Sequence, residues 1–151
     1  MIRNVDLSKP TPLWMVERLR RSDVRSIDAA VDITNYVMLE LGHPMHAFDA
    51  DKVRGGLVVR ASRPGETLET LDHVERTLTA EDVLISDDNG IQSLAGVMGG
   101  TTSEISDETV NVHFEAATWD PLTVARTARR LKLSSEASRR FERGVDPQLV
   151  E

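Results

Sequence analysis

Val83-Leu84-Ile85-Ser86-Asp87-Asp88-Asn89-Gly90-Ile91-Gln92-Ser93-Leu94-Ala95-Gly96-Val97 decides the class of this chain. Two short apolar runs, Val83–Ser86 and Ile91–Val97, flank Asp87-Asp88-Asn89-Gly90. Asn-Gly accepts the positive φ values of a tight hairpin, so the two runs read as paired antiparallel strands. Further strands lie on either side. Toward the N-terminus, Thr79-Ala80-Glu81-Asp82 resembles a capping box for a short turn. Before it, Thr67–Leu71 and Glu75–Leu78 suggest a second hairpin across Asp72-His73-Val74, and Leu57–Ala61 is another strand. Toward the C-terminus, Val110–Ala116 alternates cleanly, with Val110, Val112 and Phe114 on one face and Asn111, His113 and Glu115 on the other.

Helices enclose this block of strands. Thr11 as N-cap and Pro12 at the first helical position open one that runs to about Arg21, with Leu13, Val16 and Leu19 facing inward. A second spans about Ile27 to Leu41, where Ile27, Val31, Asn35, Met38 and Leu41 recur at helical spacing before Gly42. Asp32, Thr34 and Asn35 are poor helix formers placed mid-helix, and they read as hydrogen-bonding groups. His43–Asp51 reads as a loop. Asp120-Pro121 starts a helix ending near Lys132, and Ser134 or Ser135 caps a last short one that Gly144 closes before Pro147. The expected class is α+β, a central, mostly antiparallel β-sheet body with flanking helices. Residues 1–10 carry no periodicity and read as a leader or linker, with residues 11–151 as the domain. The stop just after Pro147 suggests a piece of a longer protein.

Composition removes several functions. There is no cysteine, which excludes a disulfide framework, a thiolate nucleophile and a Cys-ligated zinc site. Aromatic residues are only 4%, so the core must be mainly aliphatic. No apolar run approaches the roughly 20 residues of a membrane span, and Met1–Pro10 lacks the apolar core of a signal peptide. A cytoplasmic location fits these features. The net charge of −7 argues against a surface that wraps nucleic acid broadly. The charge is uneven, however: residues 126–143 carry +5 and the remainder −12. That segment is either a basic patch for a polyanion or two helices with solvated arginine faces.

Three segments could carry chemistry. In His43-Pro44-Met45-His46, Pro44 forbids a continuous helix, so the two histidines do not share a helical face as zinc ligands would. His46 reads either as a histidine satisfied by backbone or as one that holds a water at a pocket rim. Ala95-Gly96-Val97-Met98-Gly99-Gly100 is either a strand-end turn or a place where backbone N–H groups meet a ligand. Its glycine spacing matches neither a phosphate loop nor a dinucleotide fingerprint. Glu115 is either a surface glutamate or an acceptor in a pocket. No serine-nucleophile elbow is present.

Four motifs together resemble one family. They are Val31-Asp32-Ile33-Thr34-Asn35-Tyr36-Val37, Leu39-Glu40-Leu41-Gly42-His43-Pro44-Met45-His46-Ala47-Phe48-Asp49, Ala95-Gly96-Val97-Met98-Gly99-Gly100 and Arg140-Phe141-Glu142-Arg143-Gly144-Val145-Asp146-Pro147. In order and spacing the chain resembles the editing domain of bacterial phenylalanyl-tRNA synthetase beta subunits, from about Thr11 to its end. The resemblance implies hydrolysis of tyrosine misattached to tRNA(Phe). A second site is needed because an apolar pocket rejects an added hydroxyl only about a hundredfold in comparable synthetases. By position, the resemblance implies that Arg25, His46 and Ser135 serve the reaction, Ser135 standing where the family has threonine. It implies that Glu115 accepts the tyrosine hydroxyl, helped by the Gly99 backbone, and that Ala137 lines the pocket. The implied partners are the tRNA(Phe) 3′ end, the tyrosyl moiety, the synthetase alpha subunit and the other beta-subunit domains. No metal or cofactor is implied here, ATP and Mg being expected only at the synthetic site elsewhere. The rival readings are a non-catalytic RNA-binding or assembly module and a free-standing hydrolase.

Overall fold

Helices flank a body of antiparallel strands. In the computed structural model, which describes residues 1–150, the elements run β1 (Ile2–Arg3), α1 (Leu13–Arg21), α2 (Ala29–Leu41), β2 (Met45–Asp49), β3 (Val58–Ala61), β4 (Thr67–Glu69) and β5 (Glu75–Thr77). They continue as β6 (Val83–Ser86), β7 (Ile91–Leu94), β8 (Met98–Gly99), β9 (Asn111–Ala116), α3 (Pro121–Arg130) and α4 (Glu136–Phe141). One sheet has the order β3-β6-β7-β8, a second β1-β9-β2, and β4-β5 form a separate ribbon. Each of these pairings is antiparallel, so the fold is α+β. No helix among the described residues is long and apolar enough to cross a membrane.

The hairpin at Asn89-Gly90 forms, with the Asp87 carboxylate accepting the N–H groups of Asn89 and Gly90 at 2.8 and 3.0 Å. Its second strand is shorter than expected. β7 ends at Leu94 rather than Val97, because Gly96 at φ 68° turns the chain and β8 returns along β7. The segment read as the loop His43–Asp51 is also different: Met45–Asp49 is β2, paired with β9 from Met45↔Ala116 to Asp49↔Val112. Residues 1–10, read as a leader or linker, supply β1 to the same sheet, while Val5 and Leu7 pack on its apolar cluster.

The helices keep most of their expected ends. Gly42 caps α2 at φ 75°, Asp120 caps α3 with its carboxylate on the Thr123 N–H, and Ser135 caps α4. Two starts differ. Pro12 occupies the cap of α1, and Asp28 caps α2 in place of a start at Ile27. The inward face of α1 also differs from the expected one. Met15 and Leu19 are buried, whereas Leu13 is 85% exposed. Thr11, freed from capping, donates its hydroxyl to the Asp32 carboxylate at 2.6 Å. Asp32 is fully buried and also accepts the Ser26 hydroxyl at 2.5 Å and the Ile27 N–H at 2.9 Å. One carboxylate in the first turn of α2 thus fastens the segment that carries Arg25. Asp32→Ala orphans three donors and should cost about 3 kcal/mol, read as a lower urea midpoint at constant slope. A loss below about 1 kcal/mol would show that other contacts hold the segment.

Apolar clusters stack these layers. One face of the β1-β9-β2 sheet packs on α2 through Ala30, Ala47 and Val112. On its other face Phe48 meets Ile85 of β6 and Ala95 just beyond β7. Leu84, Leu94 and Val97 then pack on Val124, Ala128 and Phe141 from α3 and α4. This layering leaves an opening where β2, β8, β9 and α4 meet.

Candidate active site

The register of β2 against β9 pairs His46 with Glu115. Directly opposed residues of antiparallel strands share a face, so both side chains project from the same side of the sheet. They line a pocket with about 390 Å³ of free space, its open mouth included. The turn through Gly96, Val97, Met98 and Gly99 forms a second wall, and Ala137 and Phe141 of α4 a third. Four of the six residues singled out above, His46, Gly99, Glu115 and Ala137, therefore meet in one place.

Gly99 is required there by close approach. A methyl group on its Cα would sit 2.5 Å from His46 Cε1 and 2.6 Å from Nε2. Its backbone is also available. The Gly100 N–H donates to the Gln92 carbonyl at 2.8 Å, which makes Ser93–Gly99 a non-hydrogen-bonded pair. The ladder thus leaves the Gly99 N–H uncommitted, while its carbonyl accepts the Leu71 N–H at 3.0 Å.

Burial governs the two ionisable groups. It pushes the Glu115 carboxyl up to about 7 and the His46 imidazole down to about 4. Near neutral pH the pocket therefore holds a neutral imidazole beside a carboxyl that keeps its proton well above the usual carboxylate range. Apart from an edge-on contact between the His46 and Phe48 rings at 4.5 Å, the imidazole makes no hydrogen bond among the described residues. These shifts predict opposite pH dependences. Folded Glu115 holds its proton between pH 4.5 and 7 where the unfolded chain releases it, so its contribution to stability falls as pH rises through that window. Folded His46 resists protonation between pH 6.5 and 4, so its contribution is lost as pH falls. Relative to the parent, Glu115→Gln should gain stability on going from pH 4.5 to 7, and His46→Gln on going from 6.5 to 4. Each should change by a few kcal/mol, at about 1.4 kcal/mol per pKa unit. Urea melts across this range check it, and differences independent of pH would mean that both groups are well solvated.

Arg25 and Ser135 lie elsewhere. Arg25 lines an adjoining cleft of about 1070 Å³ of free space, its open mouth included, with Thr34 and Asn35 of α2 and with Leu71 and His73 of the β4–β5 tip. Met45 and His46 border both cavities. Ser135 is occupied structurally. Its hydroxyl accepts the Ser138 N–H at 3.0 Å and donates to the Val97 carbonyl at 2.7 Å, hooking α4 onto the glycine turn. The sequence reading missed Met98, Phe141 and His73 as lining residues. Phe141 lies in the last quoted motif and Asn35 had been marked as a hydrogen-bonding group, whereas His73 was only a turn residue.

The basic segment divides as well. Arg130 pairs with the fully buried Asp82, and Arg139 and Arg140 both reach Glu136. Arg126, Arg129, Lys132 and Arg143 are exposed.

These features can be set beside known proteins. A solved N-terminal fragment of the phenylalanyl-tRNA synthetase beta subunit from Pyrococcus horikoshii superposes with a TM-score of 0.51 at 18% identity, covering 66% of this chain and 39% of that one. At that identity the likeness concerns the fold alone. The phenylalanine–tRNA ligase beta subunit of Corynebacterium diphtheriae is 67% identical over 150 residues, 99% of this chain and 18% of that protein. The beta subunit of Pseudomonas putida is 59% identical over 151 residues, 19% of its length. The chain thus spans less than a fifth of the curated relatives it matches. A family model described as the B3/4 domain matches residues 1–151, and the chain belongs to the B3/4 domain family.

Proposed function

We propose that this domain edits aminoacyl-tRNA, hydrolysing the ester that joins tyrosine to the 3′-terminal ribose of tRNA(Phe). The observation that carries the reading is the pair of adjoining cavities divided by Met45 and His46. An ester has two sides, and each cavity suits one of them. The smaller pocket is lined by apolar Met98, Ala137 and Phe141 and by a Glu115 carboxyl without a hydrogen-bond partner among the described residues, which suits a phenol. The Gly99 N–H offers the complementary donor. The larger cleft, with Arg25 and Asn35, suits the terminal nucleoside. An ester spanning the two would lie at His46.

The chemistry follows from these positions. Neutral His46 orients the attacking water by a hydrogen bond and Arg25 fixes the nucleotide side. Catalysis here is mainly positioning. One water is consumed, and free tyrosine and tRNA with an intact ribose hydroxyl are released. Ser135 acts through its clasp on Val97, which holds Ala137 against the pocket. The proposal extends to the cytoplasmic setting and to the partners of a larger synthetase, an alpha subunit and the other beta-subunit domains. Deacylation of Tyr-tRNA(Phe) and Phe-tRNA(Phe), measured side by side, tests the reading. Preferential release of tyrosine supports it. Hydrolysis of neither ester by the intact synthetase would leave a non-catalytic RNA-binding or assembly module.

A further inference from the structure

One wall of the larger cleft has no part in the hydrolysis proposed above, the wall that Leu71 and His73 form at the tip of the β4–β5 ribbon. This tip is held from several sides. The Leu71 N–H donates to the Gly99 carbonyl at 3.0 Å, and Thr70 bridges to Gly100. Arg76 donates to the Thr70 hydroxyl at 2.9 Å and to the Asp72 carboxylate at 2.5 Å. Within this frame His73 sits at φ 58°, a left-handed conformation that residues with side chains adopt at a cost. Such strain persists where the surroundings over-determine it, and it concentrates at ligand-contacting positions.

The strained backbone presents an open ring. The His73 side chain is 71% exposed, and its Nδ1 lies 3.2 Å from a Glu69 carboxylate oxygen. Among the residues lining the cleft, only His46 and His73 carry aromatic rings. The His46 ring is packed edge-on against Phe48 and borders the smaller pocket. His73 is thus the open aromatic ring that the cleft offers a planar ligand, across from the Arg25 guanidinium that also lines it. Unpaired terminal bases are gripped by stacking on aromatic side chains, an interaction indifferent to base identity.

Resting on the editing reading, we infer that His73 is the platform on which the 3′-terminal base of the tRNA stacks. The tip to which it belongs is fastened to Gly99, so the stacked base is held in register with the ester at His46. His73 touches the nucleotide and not the reacting atoms, so it acts on substrate affinity.

Steady-state deacylation of Tyr-tRNA(Phe) by the intact synthetase carrying His73→Ala or His73→Phe tests this. The alanine variant should raise KM about tenfold with kcat within about twofold of the parent, since the lost contact is equal in ground and transition states. The phenylalanine variant keeps a ring and should restore KM to within about twofold. An unchanged KM in His73→Ala overturns the inference. A Phe variant no better than Ala overturns it too, and so does a fall in kcat common to both. A parent that releases neither amino acid sinks the editing reading and this inference with it. A parent that edits, with His73→Ala unaltered, removes the inference alone.

Discussion

Replacing Glu115 with alanine should bring the hydrolysis rates of Tyr-tRNA(Phe) and Phe-tRNA(Phe) together, erasing a preference of about tenfold to a hundredfold. The physical basis is asymmetric. A phenol entering the pocket gives the buried carboxyl its missing partner, whereas a phenyl ring covers it and leaves it unpaired. Alanine removes both the gain for tyrosine and the penalty against phenylalanine. Glu115→Gln retains an acceptor without the charge and should fall between the parent and alanine. With the carboxyl held near 7 by burial, the parent's preference should also change across neutral pH, and the Gln variant's should not. Single-turnover deacylation with both esters decides the matter. If Glu115→Ala slowed both equally, the carboxyl would be catalytic or structural; if it altered neither rate, Glu115 would have no contact with the amino acid.

Gly99→Ala should lower the hydrolysis rate about a hundredfold, the scale on which a misplacement of about 1 Å is felt. The added methyl would intrude on His46 Cε1 and Nε2 and come within 3.1 Å of Leu71 Cδ1. Gly99 is not among the residues with positive φ, so alanine is conformationally tolerated and the cost in stability should be modest, about 1–2 kcal/mol of overpacking. The informative result is therefore a large kinetic defect beside a small shift in melting. A variant that melts would make Gly99 a folding residue. One that keeps its rate would show that His46 need not lie against this strand.

Much of this architecture was legible because its signals are local. Asn89-Gly90, Gly42, Asp120-Pro121 and Ser135 each act within a few residues of themselves, and each appears at its expected turn or cap. The strand β2 escaped because Met45–Asp49 follows Pro44 and mixes apolar with polar residues; it becomes a strand only by pairing with β9, remote in sequence. The face of α1 was misjudged because Met15 and Leu19, four residues apart, pack inward, while Leu13 in the first turn is left to solvent. For the site, the sequence marked which residues to examine but not how they group. Two cavities meeting at His46, and the engagement of Ser135 with a carbonyl, are tertiary facts. The same holds for the basic segment, where Arg130 is drawn to a buried aspartate that no local pattern announces.

The third wall of the pocket has a consequence for the order in which the site is made. Ala137 and Phe141 come from α4, a helix of six residues near the end of the described chain. A helix that short does not persist alone in water. It exists by docking, through the Ser135 hydroxyl on Val97 and the Phe141 ring in the apolar cluster. During synthesis, His46, Gly99 and Glu115 emerge first and can assemble only an open trough. The pocket closes when α4 leaves the ribosome and seats itself. A nascent or truncated chain is thus without a finished pocket, and whatever the pocket binds must wait for a completed domain.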